Sequence, residues 1–200
     1  MLKYPLFKIE VLVFFFLSTI MVNGAFCKPS SIDNSYSVTI APLLDQEKKK
    51  YSLQVIQPYA FTLKAIQRFM QSLAYQKRAV SWSSKKRVFP SRDIQILAPE
   101  IKKHFAQASK NHRVTYQIKN ANGKIRLEGD AFLTSQGMNW RITTINSATR
   151  KTDDFSIMGA SWRLAPLTGQ KHKTHERLKN LAQDISHWVI FTRFHPNPKR

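Results

Sequence analysis

Between Arg113 and Ile142 apolar and polar residues alternate with a period of two, interrupted twice by turn chemistry. This stretch limits what the chain can fold into more than any other. Val114, Tyr116 and Ile118 alternate with Arg113, Thr115, Gln117 and Lys119, the pattern of a strand with one buried face. Asn120-Ala121-Asn122-Gly123 then supplies residues that tolerate positive φ, as a hairpin loop requires. Ile125, Leu127, Ala131 and Leu133 resume the alternation, with Gly129 a candidate bulge. Ser135-Gln136-Gly137 is a second tight turn, followed by Met138, Trp140 and Ile142. With Phe155 to Leu164 as a fourth strand, the pattern predicts an antiparallel meander. Its alternation predicts helices over one face and water on the other.

The flanks add helices. Tyr51, Leu53 and Val55 read as a strand stopped by Pro58. Thr62 is placed to cap a helix carrying Leu63, Ala65, Ile66, Phe69 and Met70. Leu73 to Trp82 reads as a strand. After Ser91, residues Ile94, Leu97, Ala98, Ile101, Phe105 and Ala108 trace one helix face. Pro99 falls inside that face and either kinks the helix or starts a second one. Pro166 and Gly169 end the sheet, and Leu178, Leu181, Ala182 and Ile185 predict a last helix. Trp188 to Phe191 continues that helix or returns as a strand. The expectation is an α+β domain, an antiparallel β-meander of about four to six strands packed with two to three helices. Its bounds are residues 51–195, behind a polar linker at 28–50 and before an irregular tail at 196–200. Within the linker, Tyr36 to Ile40 is a candidate edge strand.

Residues 1–27 read as a signal peptide. Lys3 and Lys8 precede an uncharged run, Val11 to Val22, and the small residues Gly24 and Ala25 follow it. The run is shorter than the roughly 20 apolar residues of a membrane span. Sec-type export to the periplasm or envelope is therefore expected. Anchoring by an uncleaved N-terminal segment, or by lipid on Cys27, is the alternative, although Phe26 is bulkier than a lipid-attachment signal prefers. Cys27 is the chain's one cysteine, which excludes an intramolecular disulfide framework and a Cys-based zinc site.

Charge narrows the partners. The 200 residues hold 32 Lys and Arg against 12 Asp and Glu, a net charge of +20. Residues 28–110 carry net +10 and residues 111–200 net +9, so no single basic arm stands out, as a dedicated nucleic-acid segment would. The densest cluster is Lys77, Arg78, Lys85, Lys86 and Arg87, interleaved with Tyr75, Trp82 and Phe89. Arg with flanking aromatics stacks on bases or settles at a headgroup interface. A second cluster, Lys171 and Lys173 with His172 and His175, precedes the predicted last helix, where cations oppose the helix dipole. The candidate anion- or partner-binding residues are thus Lys77, Arg78, Trp82, Lys85, Lys86, Arg87, Lys171 and Lys173.

Chemistry-bearing motifs are faint. His172 and His175 share a face on a helix, but neither the H-E-x-x-H order nor its inverse is present, and neighbouring cations oppose a metal ion. Glu128 and Asp130 point to one face of a strand and are expected to pair with cations such as Lys124 or Arg126. Asp153-Asp154 reads as a turn, and Ser83 to Lys86 matches S-x-x-K without its partner motifs. His104 and His112 flank a helix end, where imidazoles bond the terminal carbonyls. No catalytic residue, metal, cofactor or small-molecule substrate is assigned.

The order of Val88-Phe89-Pro90-Ser91, Leu97-Ala98-Pro99, Val114-Thr115-Tyr116, Trp140-Arg141, Trp162 to Pro166 and Gly169-Gln170 resembles a family of uncharacterised exported or lipoprotein-like proteins of Gram-negative bacteria. The resemblance spans about residues 50–190 as an order of elements. It implies an envelope location and no known activity. The expected function is a non-catalytic binding or scaffold domain. Its basic surface would meet an anionic envelope component, a membrane surface among them, or an envelope protein. An envelope hydrolase without a recognisable motif and a secreted nucleic-acid-binding protein are the alternatives, nucleic acid being the less favoured partner.

Overall fold

The computed structural model describes residues 34–149, 161–178 and 181–194, with the side chains of 176–178 and 181–183 left out. The expected signal peptide, the Asp153-Asp154 turn and the tail at 196–200 lie outside the described residues. The elements, in order, are β1 (Ser35–Pro42), α1 (Asp45–Lys50), α2 (Leu63–Gln71), β2 (Ala74–Lys77), β3 (Lys86–Arg87), α3 (Ser91–Gln107), β4 (His112–Lys119), β5 (Ile125–Thr134), β6 (Gly137–Ile145), β7 (Ala148–Thr149), β8 (Trp162–Leu164), β9 (Gln170–Leu178) and β10 (Leu181–Phe191). This is an α+β fold with three helices and about ten antiparallel strands, more strands than the meander pattern implied.

The meander is present as β4–β5–β6. Asn120 Oδ1 accepts the backbone N–H of Asn122 and Lys124 at 3.1 and 3.0 Å, and Gly123 takes φ +72°, which closes the first hairpin. The pairing of β5 with β6 slips between Glu128 and Gly129, but the extra residue is Thr143 of β6, so the bulge lies on the partner strand opposite the glycine and not at Gly129 itself. A Cβ on Gly129 would stand 2.1 Å from the Arg141 carbonyl oxygen and 2.5 Å from the Tyr116 hydroxyl, so the bare backbone is required for that approach.

The complete sheet runs β1-β4-β5-β6-β10-β9, with β7 also on β6, and a second, smaller sheet runs β3-β2-β8. β1 pairs with β4 from Ser35–Lys119 to Pro42–His112, so the stretch expected as a linker carries the edge strand and then α1. Ile94, Leu97, Ala98, Ile101 and Phe105 of α3 join Val114, Tyr116, Ile118, Leu127, Trp140 and Ile142 in the main core. Pro99 sits within α3 without ending it. Its missing N–H would have met the carbonyl of Gln95, and both residues lie on the exposed face of the helix.

Four expectations are corrected. Leu178, Leu181, Ala182 and Ile185 do not form a helix: they belong to β9 and β10, and Trp188–Phe191 pairs with Arg141–Met138 of β6. Helix-compatible spacing is overridden there by the hydrogen bonds that β6 needs along its open side. Tyr51 to Val55 is not a strand. Tyr51 closes α1, and only Val55 makes a bridge, to Thr134. The strand expected over Leu73 to Trp82 is limited to β2, followed by a bridge between Arg78 and Trp82. Trp162–Leu164 joins β2 in the small sheet rather than following β6, and residues 155–160 lie outside the described part. The outer face of the main sheet is not simply wetted either. Leu43, Tyr51, Phe132 and Trp188 form a second buried cluster.

Candidate anion-binding surface

The carboxylates come first, because their use decides which cations stay uncompensated. Asp130 on β5 lies directly opposite Arg141 on β6, and it accepts from Arg141 Nε and Nη2 at 2.7 Å each. Glu47 of α1 pairs with Arg141 and also with Arg113 of β4, the latter at 2.9 Å. Phe132 and Trp188 lie against the same guanidinium, 5.0 and 4.8 Å from ring centre to Cζ. Burial works against the charge on Arg141, but Asp130 and then Glu47 outweigh it and hold its pKa above the ordinary value. Asp93 takes Arg126 and the Tyr36 hydroxyl. Glu128 accepts from Gln117 at 2.9 Å and from the Thr143 and Thr144 hydroxyls at 3.4 and 3.3 Å. The paired carboxylates therefore do meet polar partners, but not Lys124 or Arg126 as expected. The strand register places Arg141 and Gln117 nearer. Two clefts of about 470 and 370 Å³ open beside this network and share Arg113, Asp130 and Thr143. Glu47 and Asp130 are committed there to guanidinium groups, which is a structural use of carboxylate.

The small sheet is the opposite case. Gln76 on β2 faces Arg163 on β8, and Ala74 faces Arg87 on β3, so both arginines share one face with Gln76. Arg163 donates from Nε and Nη2 to Gln76 Oε1 at 3.1 and 3.0 Å. Its guanidinium lies 4.2 Å from the centre of the Trp82 ring, and Arg78 lies 5.8 Å from the same ring. Ser83 anchors the loop by accepting the Lys77 N–H on its hydroxyl at 3.0 Å and the Gln76 amide on its carbonyl at 2.8 Å. That is a structural role for the residue that matched S-x-x-K. Lys77, Lys85, Lys86 and Arg87 are exposed as well, Lys77 and Lys86 on the other face of the strands and Lys85 donating from Nζ to the Pro166 carbonyl at 3.3 Å. Among the described residues none of these six cations is ion-paired with a carboxylate. The loop from Arg78 to Trp82 carries Val80 at its tip, with relative exposure of 101%.

Of the expected cluster, Arg78 meets Trp82 and Arg87 shares the face of Gln76 and Arg163, whereas Lys77 and Lys86 fall on the other face of the strands and Lys85 bonds the Pro166 carbonyl. Lys171 and Lys173 do not join them. They lie on β9 of the main sheet, not before a helix, so no helix dipole acts on them. Lys173 is buried, its Nζ donates to Gln136 Oε1 at 3.3 Å, and burial, followed by Lys171, lowers its pKa. His172 and His175, three apart on a strand, point to opposite faces. His172 donates from Nδ1 to the Ile185 carbonyl at 3.3 Å, and the His175 ring meets Tyr51 at 5.4 Å. His104 donates from Nδ1 to the Glu100 carbonyl at 2.8 Å, one turn back inside α3, and His112 Nδ1 bonds the Ser109 hydroxyl, so neither imidazole meets the terminal carbonyls that were expected.

Sequence reasoning missed Arg163 and Val80. Arg163 lies 81 positions beyond Trp82, and only strand pairing brings the two together. Val80 was legible as a lone aliphatic among Lys, Arg and Ser, although nothing local says that it stands clear of the protein. No family model, curated protein sequence or solved structure matches the chain.

Proposed function

We propose that this chain is an exported envelope protein whose α+β domain binds rather than catalyses. It docks the β3-β2-β8 face on an anionic, phosphate-bearing membrane surface. The observation that carries this reading is the Arg78–Trp82 loop. It sets a fully exposed Val80 beside a Trp82 ring flanked by Arg78 and Arg163, and among the described residues neither arginine is ion-paired with a carboxylate. Each Lys or Arg near an anionic leaflet contributes about 1 kcal/mol, screened over a Debye length of about 8 Å at physiological salt. Trp at the headgroup level and an aliphatic tip below it suit the interface between lipid charge and hydrocarbon. A solvated rim needs neither of those two features.

The test is sedimentation of the protein with vesicles of phosphatidylglycerol and phosphatidylcholine, against vesicles of phosphatidylcholine alone. Binding to the anionic vesicles only, weakened by salt and by Lys85→Glu/Lys86→Glu/Arg87→Glu, is expected. Absence of binding at low salt, or tighter binding to single-stranded DNA than to the vesicles at matched salt, would overturn the reading. Export belongs to the same proposal. Loss of about the first two dozen residues from the intact mass of envelope-recovered protein is expected. A full-length protein confined to the cytosol would remove the export part.

A further inference from the structure

A groove of about 430 Å³ lies on a different part of the domain, between α2, the turn from β8 to β9, and the end of β10. Its apolar lining is Ala65, Phe69, Phe191 and Phe194, and its cations are Arg68 and Arg193. The Phe69 ring stands 4.8 Å from Phe191 and 5.4 Å from Phe194, so the three rings form one continuous floor. Both arginines are exposed, and among the described residues neither is ion-paired with a carboxylate. Among the described residues no acidic side chain lines the groove.

The walls are fixed to one another. Gln170 Nε2 donates to the carbonyl and hydroxyl oxygens of Ser72 at 3.0 and 3.1 Å, and its Oε1 accepts the Leu167 N–H at 3.1 Å. Those bonds hold the turn against the C-terminal end of α2. Thr192 donates from its N–H and its hydroxyl to the Gly169 carbonyl at 3.0 and 3.2 Å, which sets the adjacent Arg193 over the turn. Gly169 has φ +83°, and a Cβ there would stand 3.0 Å from Arg193 Cδ. The arginine stem therefore occupies the space that a side chain at 169 would take. An apolar floor with a few placed charges is the composition of a small-molecule site, and the volume falls at the lower end of the usual range of about 300–1,000 Å³. Phe194, half-buried against the buried Phe69 and Phe191 rings, offers apolar surface to a hydrocarbon, and two guanidinium groups at its edge, without a carboxylate partner among the described residues, attract an anion.

We infer that this groove binds a single acyl chain ending in an anionic head, the chain lying on Phe69, Phe191 and Phe194 and the head between Arg68 and Arg193. The inference does not depend on the docking face. A domain with both features would bind lipid-derived anions as well as lipid surfaces.

The experiment is calorimetric titration of the full chain with dodecanoate below its micelle concentration, beside octanoate and dodecyltrimethylammonium. Dodecanoate is expected to bind at one site, with affinity rising up to about fourfold per added methylene from octanoate. The cationic amphiphile should not bind there. Arg68→Ala/Arg193→Ala should weaken dodecanoate about tenfold or more, since hydrogen bonds to a charged head are lost. Both positions are exposed, so the double variant tests binding rather than folding, and circular dichroism checks that it is folded. Ala65→Trp, which fills the groove from α2, should weaken binding whether or not the arginines are intact. No saturable binding, equal binding of both head charges, or an unchanged affinity in the double-arginine variant would overturn the inference. Vesicle binding is read separately, so failure here leaves the docking proposal standing, and the reverse also holds.

Discussion

Arg141 shows how a single residue can organise a region. A guanidinium removed from water costs several kcal/mol unless its charge and its donors are met. Here Asp130 meets Nε and Nη2 across the β5–β6 pair, Glu47 meets Nη1 from α1, and two aromatic rings cover the flat faces. Asp130→Ala strips the bidentate partner and is expected to cost about 3–5 kcal/mol, whereas replacing Asp130 and Arg141 together by Leu and Met should cost less. Urea unfolding of the two variants compares them directly. An equal loss in both would mean that the charge pairing does not matter. His172 gives a pH prediction. Burial lowers its pKa below 6.5, Arg163 adds to that, and Asp184 and the Ile185 carbonyl oppose it. The unfolded chain therefore takes up the proton first, and stability falls as pH drops through 6.5 towards the folded-state value. Wild type should lose more stability than His172→Gln between pH 7 and pH 5. Identical pH slopes would refute this.

At the level of elements, α2 and α3 were legible because each carries its apolar residues at helical spacing, and α2 also has a start signal. Thr62 accepts the Ala65 N–H at 3.2 Å as the N-cap of α2. Thr62→Ala is expected to cost about 1 kcal/mol and Thr62→Asp close to nothing, as read from thermal unfolding midpoints. Equal midpoints for the wild type and Thr62→Ala would show that packing of Phe69 and Met70 alone holds the helix end. The last hairpin was not legible. Leu178, Leu181, Ala182 and Ile185 have helical spacing, yet β6 already pairs β5 on one side and needs a second partner for its Met138–Arg141 stretch. A requirement of that kind comes from a strand about 50 residues away, and no local window contains it. The same holds for β1, whose partner β4 lies beyond three helices and two strands of the small sheet.

For the molecule as a whole, the excess of 32 basic over 12 acidic residues is unevenly compensated. Among the described residues carboxylates cluster around Arg113, Arg126 and Arg141, and the cations of the β3-β2-β8 sheet and its loop have no carboxylate partner. Salt should then act with opposite signs on two observables. Raising it from low to physiological ionic strength screens self-repulsion and raises the melting temperature, while it weakens docking on anionic vesicles. The buried Arg141 network is screened much less and should not reverse the first effect. A melting temperature that falls over that range would mean that surface attraction outweighs repulsion, contrary to the charge distribution described here.

Local sequence was enough for the α+β class, the β4–β5–β6 meander, the Asn120–Gly123 turn, the two longer helices and the basic stretch around Trp82. Each depends on residues a few positions apart, through backbone preferences and side-chain periodicity. Tertiary structure alone decided which strands are neighbours and, through them, which charges are cancelled. Glu47 reaches Arg141 across 94 positions, and Arg163 reaches Gln76 across 87. Lys173 turned from a surface cation into a buried one against Gln136. Electrostatic compensation acts through space over a few ångströms, and a sequence orders residues only along the chain.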